Sequence, residues 1–161
     1  MKIKIHKEIT LTLLLIIMLS GCENQLKKEV VETFEDGTPK IESFYTLAGE
    51  NKEVIKEIQY YENGKKKYVG HFKKGKKDGM WTFWFENGKK STEGYFLEGL
   101  RTGETQAYHE NGKLNYKGEY LDGKKNGKWE FYNDQGMKIN EITFENGKIL
   151  NQSNDKVGSV E

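Results

Sequence analysis

Three glutamates, Glu62, Glu86 and Glu110, recur at an unvarying step of 24, each just ahead of an Asn-Gly pair. Two carboxylates held at a fixed separation can divide acid and base roles in glycoside hydrolysis. Here the periodic placement points instead to turn-flanking positions, with Glu86 expected to pair with Lys89 across a hairpin. The other residues with reactive side chains are His71 and His109, 38 apart and at different places in the repeat, and one cysteine, Cys22. Without further Cys or His at ligand spacing, two histidines do not make a metal site, and neither a metal nor a bound cofactor is expected. GKKDG (75–79) and GKKNG (123–127) look like Gly-Lys phosphate loops, but they recur with the same period and read as turns. With no nucleophile elbow either, the sequence predicts a protein that is not an enzyme.

Cys22 takes its meaning from what precedes it. Lys2, Lys4 and Lys7 are followed by an apolar run, Leu11 to Leu19, broken only by Thr12. Nine residues are too few to span a bilayer as a helix, which needs about twenty, but they suit the core of a signal peptide. Leu19-Ser20-Gly21-Cys22 resembles the lipobox of bacterial lipoproteins. That resemblance implies cleavage between Gly21 and Cys22, and a covalent diacylglycerol and acyl lipid, such as palmitate, on Cys22. More than one acyl chain anchors durably, at about 0.8 kcal/mol per buried CH₂. The expected location is therefore the bacterial cell envelope, facing the periplasm or the exterior. Glu23, where an aspartate would resemble an inner-membrane retention signal, leans toward the outer membrane in a diderm.

The elements that carry these residues follow from composition and period. Hydrophobic residues are 35% and charged residues 32% of the 161, with 18 glycines, which argues against a thick two-layer core. Beyond residue 21 the chain holds 23 Lys plus Arg and 24 Asp plus Glu, so no nucleic-acid partner is expected. Charge is uneven locally: residues 64–90 hold nine Lys and two acids, whereas residues 23–63 hold five Lys and ten acids. Asn63-Gly64, Asn87-Gly88, Asn111-Gly112 and Gln135-Gly136 fall 24 apart, with a degenerate copy at Asp36-Gly37. Gly70, Gly94 and Gly118 share the period, as do Gly75, Gly99, Gly123 and Gly147. Self-similarity at a fixed short period marks a repeat architecture.

Each unit reads as one β-hairpin, a short strand before Asn-Gly and a longer one after it. Taking Asn87-Gly88 as a two-residue turn with both φ positive fixes the register. Trp81 then faces Gly94, Phe83 faces Thr92, Thr105 faces Gly118, Glu57 faces Gly70 and Trp129 faces Ile142, with the Trp81 indole expected over Gly94. Phe72, Phe96, Tyr120 and Phe144 form a ring ladder on the face shared by Tyr68, Tyr116, Trp81 and Trp129. Trp84, Tyr108 and Tyr132 lie on the other face among Lys67, Glu93, Lys117, Glu119 and Glu130. The expected fold is all-β: an elongated antiparallel meander of roughly eleven strands, built as about five 24-residue hairpin repeats.

GMWTFWFENGK (79–89) followed by GYFLEGLRTG (94–103), and GEYLDGKKNG (118–127) running into GKWEFYNDQGMK (127–138), resemble the bacterial variant of MORN repeats. The resemblance covers about residues 55–150 well and 30–54 poorly, and it is specific for architecture. It also implies a similarity to the YwqK-type antitoxin family, whose members are taken to neutralise a toxin, and to repeat proteins associated with membrane lipids and scaffolding.

The organisation expected is a lipoprotein signal peptide over 1–21, a tether over 22–29, a MORN-like hairpin domain over 30–151 and a disordered tail over 152–161. The function expected is binding of another protein by a membrane-anchored repeat module, with an envelope-held antitoxin and a cell-envelope glycan binder as the alternatives. Candidate contacts are Trp84, Tyr108 and Tyr132, with a basic patch of Lys65, Lys66, Lys67, Lys73, Lys74, Lys76 and Lys77. Rings in a row offer stacking planes to a partner, and clustered lysines offer charge to an acidic one.

Overall fold

Period-two alternation of rings or small residues with charged ones, punctuated by turn glycines eleven or thirteen residues apart, calls for short strands and tight turns. A computed structural model describes residues 25–153. Twelve strands run β1 (Lys27–Thr33), β2 (Pro39–Ala48), β3 (Asn51–Tyr60), β4 (Lys66–Lys73), β5 (Lys76–Lys77), β6 (Gly79–Trp84), β7 (Lys90–Leu97), β8 (Leu100–Tyr108), β9 (Leu114–Leu121), β10 (Lys124–Tyr132), β11 (Lys138–Glu145) and β12 (Lys148–Ser153). They form one antiparallel sheet in chain order, with two-residue β5 paired to β4 beside the main path. That is one strand more than the roughly eleven expected, because Asp78 interrupts the run that β8 and β10 carry unbroken. Ten steps of about 4.8 Å make a ribbon about 48 Å across.

The pairings inferred from the sequence hold: Trp81↔Gly94, Phe83↔Thr92, Thr105↔Gly118, Glu57↔Gly70 and Trp129↔Ile142. The turn that led to them differs. Phe85 N donates to Lys89 O and Gly88 N to Phe85 O, both at 2.8 Å, which closes a three-residue loop, Glu86-Asn87-Gly88. Glu86 therefore does not pair with Lys89. Gly88 alone takes positive φ, at 90°, as the bulge residue of such a loop. A bulge between Phe83 and Trp84 then absorbs the odd residue and restores the expected register. The two-residue turns with both φ positive are the others: Lys74-Gly75, Glu98-Gly99, Asp122-Gly123 and Asn146-Gly147. Lys73↔Lys76, Leu97↔Leu100, Leu121↔Lys124 and Glu145↔Lys148 flank them.

The core lies on one face. Trp81 is 3% exposed and Trp129 1%. Around Trp81 sit Tyr68 (5.4 Å between ring centroids), Phe72 (5.2 Å), Phe96 (5.8 Å) and Phe83 (5.9 Å). Around Trp129 sit Tyr120 (5.1 Å), Tyr116 (5.6 Å), Phe144 (6.0 Å) and Phe131 (6.5 Å). The Trp81 indole does not lie over Gly94 as expected. It leans the other way, over Gly70, where an added Cβ would meet it at 2.4 Å, and Trp129 covers Gly118 at 2.3 Å. Thr105 covers Gly94 in the intervening unit. The reason is the second neighbour: carrying the Tyr68↔Phe83 pairing two residues on puts Gly70 beside Trp81 as well, and there Trp81 Nε1 reaches His71 O at 3.0 Å.

The limits of the repeat domain shift by a few residues, since β1 begins at Lys27, inside the expected tether, and β12 continues through Ser153, into the expected tail. The proposed signal peptide, Gly21, Cys22 and residues 154–161 lie outside the described residues.

Candidate interaction surface

Alternation divides the side chains between a ring face and a face laced with ion pairs. On the latter, Glu42 meets Lys28 at 2.7 Å, Glu93 meets Lys90 at 2.7 Å, Glu130 meets Lys117 at 2.6 Å, and Glu141 meets Lys128 at 2.8 Å and Lys138 at 2.9 Å. Tyrosines join them, Tyr60 donating to Glu42 at 2.9 Å, Tyr108 to Glu93 at 2.8 Å and Tyr132 to Glu130 at 3.1 Å. The Lys28 ammonium, with help from Tyr60, holds the buried Glu42 carboxyl below its ordinary value. For Glu93, burial acts upward, but the bonds from Lys90 and Tyr108 outweigh it. Burial and Glu93 together push the Tyr108 hydroxyl up to about 12, so it stays a proton donor at neutral pH.

Of the residues singled out in the sequence, Tyr108 and Tyr132 thus have their hydroxyls engaged internally, while Trp84 is half-buried and accepts the Tyr61 hydroxyl on its carbonyl at 2.7 Å. Tyr60 extends their column by one unit. The basic patch is not one surface. Lys65, Lys66 and Lys67 sit at one end of β4 and Lys73, Lys74 and Lys76 at the other, roughly 24 Å apart along the strand. Lys65 Nζ is bonded to Asn87 O at 2.9 Å, Lys67 lies 5.7 Å from the Tyr61 ring centroid, and Lys74 serves a turn with φ 51°. Lys77 alone crosses to the ring face.

Along the Asn-Gly edge the turns are bonded to one another. Asn63, Asn87 and Asn111 each donate Nδ2 to a carbonyl of the next turn, at Glu86 (3.0 Å), Glu110 (3.0 Å) and Asp134 (2.7 Å). Lys65, Lys89 and Lys113 repeat this from Nζ, to Asn87 (2.9 Å), Asn111 (2.8 Å) and Gln135 (2.9 Å). The motif Asn-Gly-Lys is therefore a reaching device. It becomes Gln135-Gly136-Met137 at the last such turn among the described residues. His71 and His109 donate to the carbonyls of Met80 (3.0 Å) and Tyr132 (2.9 Å). Among the described residues no three His, Cys, Asp or Glu converge as metal ligands.

The ring face carries a column of cations that composition alone does not single out. Lys77 lies 4.1 Å from the Trp81 ring centroid and 5.2 Å from Phe96. Arg101 lies 5.4 Å from Phe96 and 5.3 Å from Tyr120, bridging the two ring clusters, and Lys125 lies 4.3 Å from Trp129 and 5.1 Å from Phe144. Their spacing, 77, 101 and 125, is the repeat period and was legible as such. Each has its carbonyl bonded at 2.8 Å by the glycine of a following turn, Gly99, Gly123 or Gly147, which fixes the backbone beneath it. Cation–ring contacts of this kind contribute about 0.5–2 kcal/mol, more as water is excluded. Burial lowers the Lys125 ammonium from its ordinary value.

Three segments, 53–74, 77–98 and 101–122, match the MORN repeat variant family. Each match spans a strand, an Asn-Gly turn and the strand after it, and β10 with β11 continues the geometry one period beyond. Repeats of this family generally mediate protein or membrane interactions and are generally non-catalytic. A comparison with curated proteins found no significant match.

Proposed function

From three matched repeats on an uninterrupted ribbon, we propose that this chain is a lipid-anchored module of a bacterial cell envelope that binds another protein and catalyses no reaction. The observation that carries the reading is the contrast between the two faces. One ties Glu42, Glu93, Glu130 and Glu141 to lysines, and the other presents rings with Lys77, Arg101 and Lys125 over them on a backbone held by turn-to-turn bonds. A long surface with regular chemistry suits recognition of a macromolecule. The anchor rests on Leu19-Ser20-Gly21-Cys22, and an envelope-held antitoxin of the YwqK type is the particular form of the reading that the repeat resemblance favours.

Two measurements test it. Alkyne-palmitate fed to cells is expected to label the wild-type chain and not Cys22→Ser, and label on neither would remove the anchor. The full chain, crosslinked in intact envelopes and recovered, is expected to bring down one protein in stoichiometric amount. Recovery of the chain alone would remove the binding reading, and a partner encoded beside it as a toxin would establish the antitoxin form.

A further inference from the structure

We propose that the column Lys77, Arg101 and Lys125 on the ring face is the docking site for an acidic polypeptide segment lying across the strands. This deepens the protein-binding reading and rests on it.

The argument begins with charges that lack counter-charges. On the opposite face Glu42, Glu93 and Glu130 are drawn into Lys–Glu–Tyr clusters. None of Lys77, Arg101 and Lys125 forms an ion pair within the described residues. Glu57, placed opposite Gly70 on the ring face, accepts the Tyr68 hydroxyl instead. All three cations are half-buried over rings. A partly desolvated cation without an anion nearby has more to gain from a carboxylate than a solvated one does.

Spacing and surroundings select the class of partner. Equivalent residues in successive units are two strands apart, about 9.5 Å. A polypeptide in the polyproline II conformation advances about 9.3 Å in three residues and returns the same side to the sheet at each turn, so acids at every third position meet successive cations. Between the cations the face offers rings, which accept apolar side chains and not a sugar–phosphate backbone. With the chain beyond residue 21 close to neutral, the general basic field that a nucleic acid would call for is absent. An acidic, amphipathic, extended segment satisfies both constraints.

The test uses the full-length chain in nonionic detergent and a fluorescein-labelled fifteen-residue peptide, (Glu-Val-Thr)5, with (Lys-Val-Thr)5 as control, read by anisotropy. Saturable binding of the acidic peptide alone is expected, weakening as salt rises. K77Q/R101Q/K125Q is expected to weaken it at least tenfold, and K90Q/K117Q/K128Q, on the ion-pair face, less than twofold. Because the first triple variant removes cover from Trp81 and Trp129, K77R/K125R serves as a second variant. It keeps charge and cover and should bind within threefold of wild type. The proposal is overturned if the two peptides bind alike, if the ion-pair-face variant loses binding instead, or if phosphatidylglycerol vesicles rather than the acidic peptide discriminate K77Q/R101Q/K125Q from wild type. Loss of this result with envelope capture intact removes only the assignment of the face, whereas loss of capture removes the reading beneath it.

Discussion

Replacing Gly118 by alanine puts one methyl group where the structure holds an indole. The new Cβ would stand 2.3 Å from Trp129 Cδ2, 2.5 Å from Cε2 and 2.6 Å from Cγ, whereas ordinary contact begins at 3.4 Å. The indole must therefore retreat by more than 1 Å. It has nowhere to go: it is 1% exposed, enclosed by Tyr116, Tyr120, Phe131 and Phe144, roofed by Lys125, and tied by Nε1 to Glu119 O at 3.1 Å. Overpacking of this kind costs about 1–3 kcal/mol. A lost Nε1 bond adds about 1 kcal/mol, and the lower entropy of alanine in the unfolded chain returns about 0.5–1 kcal/mol. The net expectation is a loss of about 2–3 kcal/mol, or roughly 4–12 °C in Tm for a chain of this size. Gly94→Ala is the internal comparison. Its Cβ would meet Thr105 Oγ1 at 2.9 Å and Thr105 Cβ at 3.3 Å, so the neighbour must give by about half as much, and a smaller loss of about 1 kcal/mol is expected. Urea unfolding followed by tryptophan fluorescence measures both. A Gly118→Ala chain as stable as Gly94→Ala would refute the claim that the indole rests on bare backbone.

Asn87→Ala removes a bond to Glu110 O and another from Lys89 N, and is expected to cost about 1–2 kcal/mol in the same assay, against less than about 0.5 kcal/mol for Gln135→Ala at the ladder's end. Glu98 holds φ at 50°, which a non-glycine side chain opposes, so Glu98→Asn should raise stability by about 0.5–1 kcal/mol and a fall would contradict the turn assignment. Glu42 is held below its ordinary value of 4.5 by Lys28; its contribution is fully present above 4.5 and is lost as pH falls through the lowered folded value. Thermal melts across that acid range should accordingly steepen in wild type and flatten in Glu42→Gln.

The strand pairing was legible because the 24-residue period phases the glycine columns together, and a slip of one residue would put Trp81 and Phe72 on opposite faces. Turn type was less legible, since Asn-Gly occurs in both kinds: as a three-residue loop at Asn87-Gly88 and as a two-residue turn at Asn146-Gly147. The dipeptide permits positive φ; the distance between the flanking paired residues decides whether Asn uses it. The lean of the Trp81 indole was hidden for a related reason. Glycine flanks it on both neighbouring strands, and the choice falls to a hydrogen bond, Nε1 to His71 O, that no pattern of residue types announces. The aromatic and lysine candidates stand out in the sequence by their abundance on one face or in one stretch. Lys77, Arg101 and Lys125 are sparse and lie apart in the chain, so only the period joins them.

The most direct measurement is a lysine-reactivity footprint on the complex recovered from intact envelopes, with mild acetylation read residue by residue. The account predicts that Lys77 and Lys125 become protected when the partner is bound, while Lys90, Lys117 and Lys128 react as in the free chain. Protection of Lys90, Lys117 and Lys128 with Lys77 and Lys125 unchanged would contradict it.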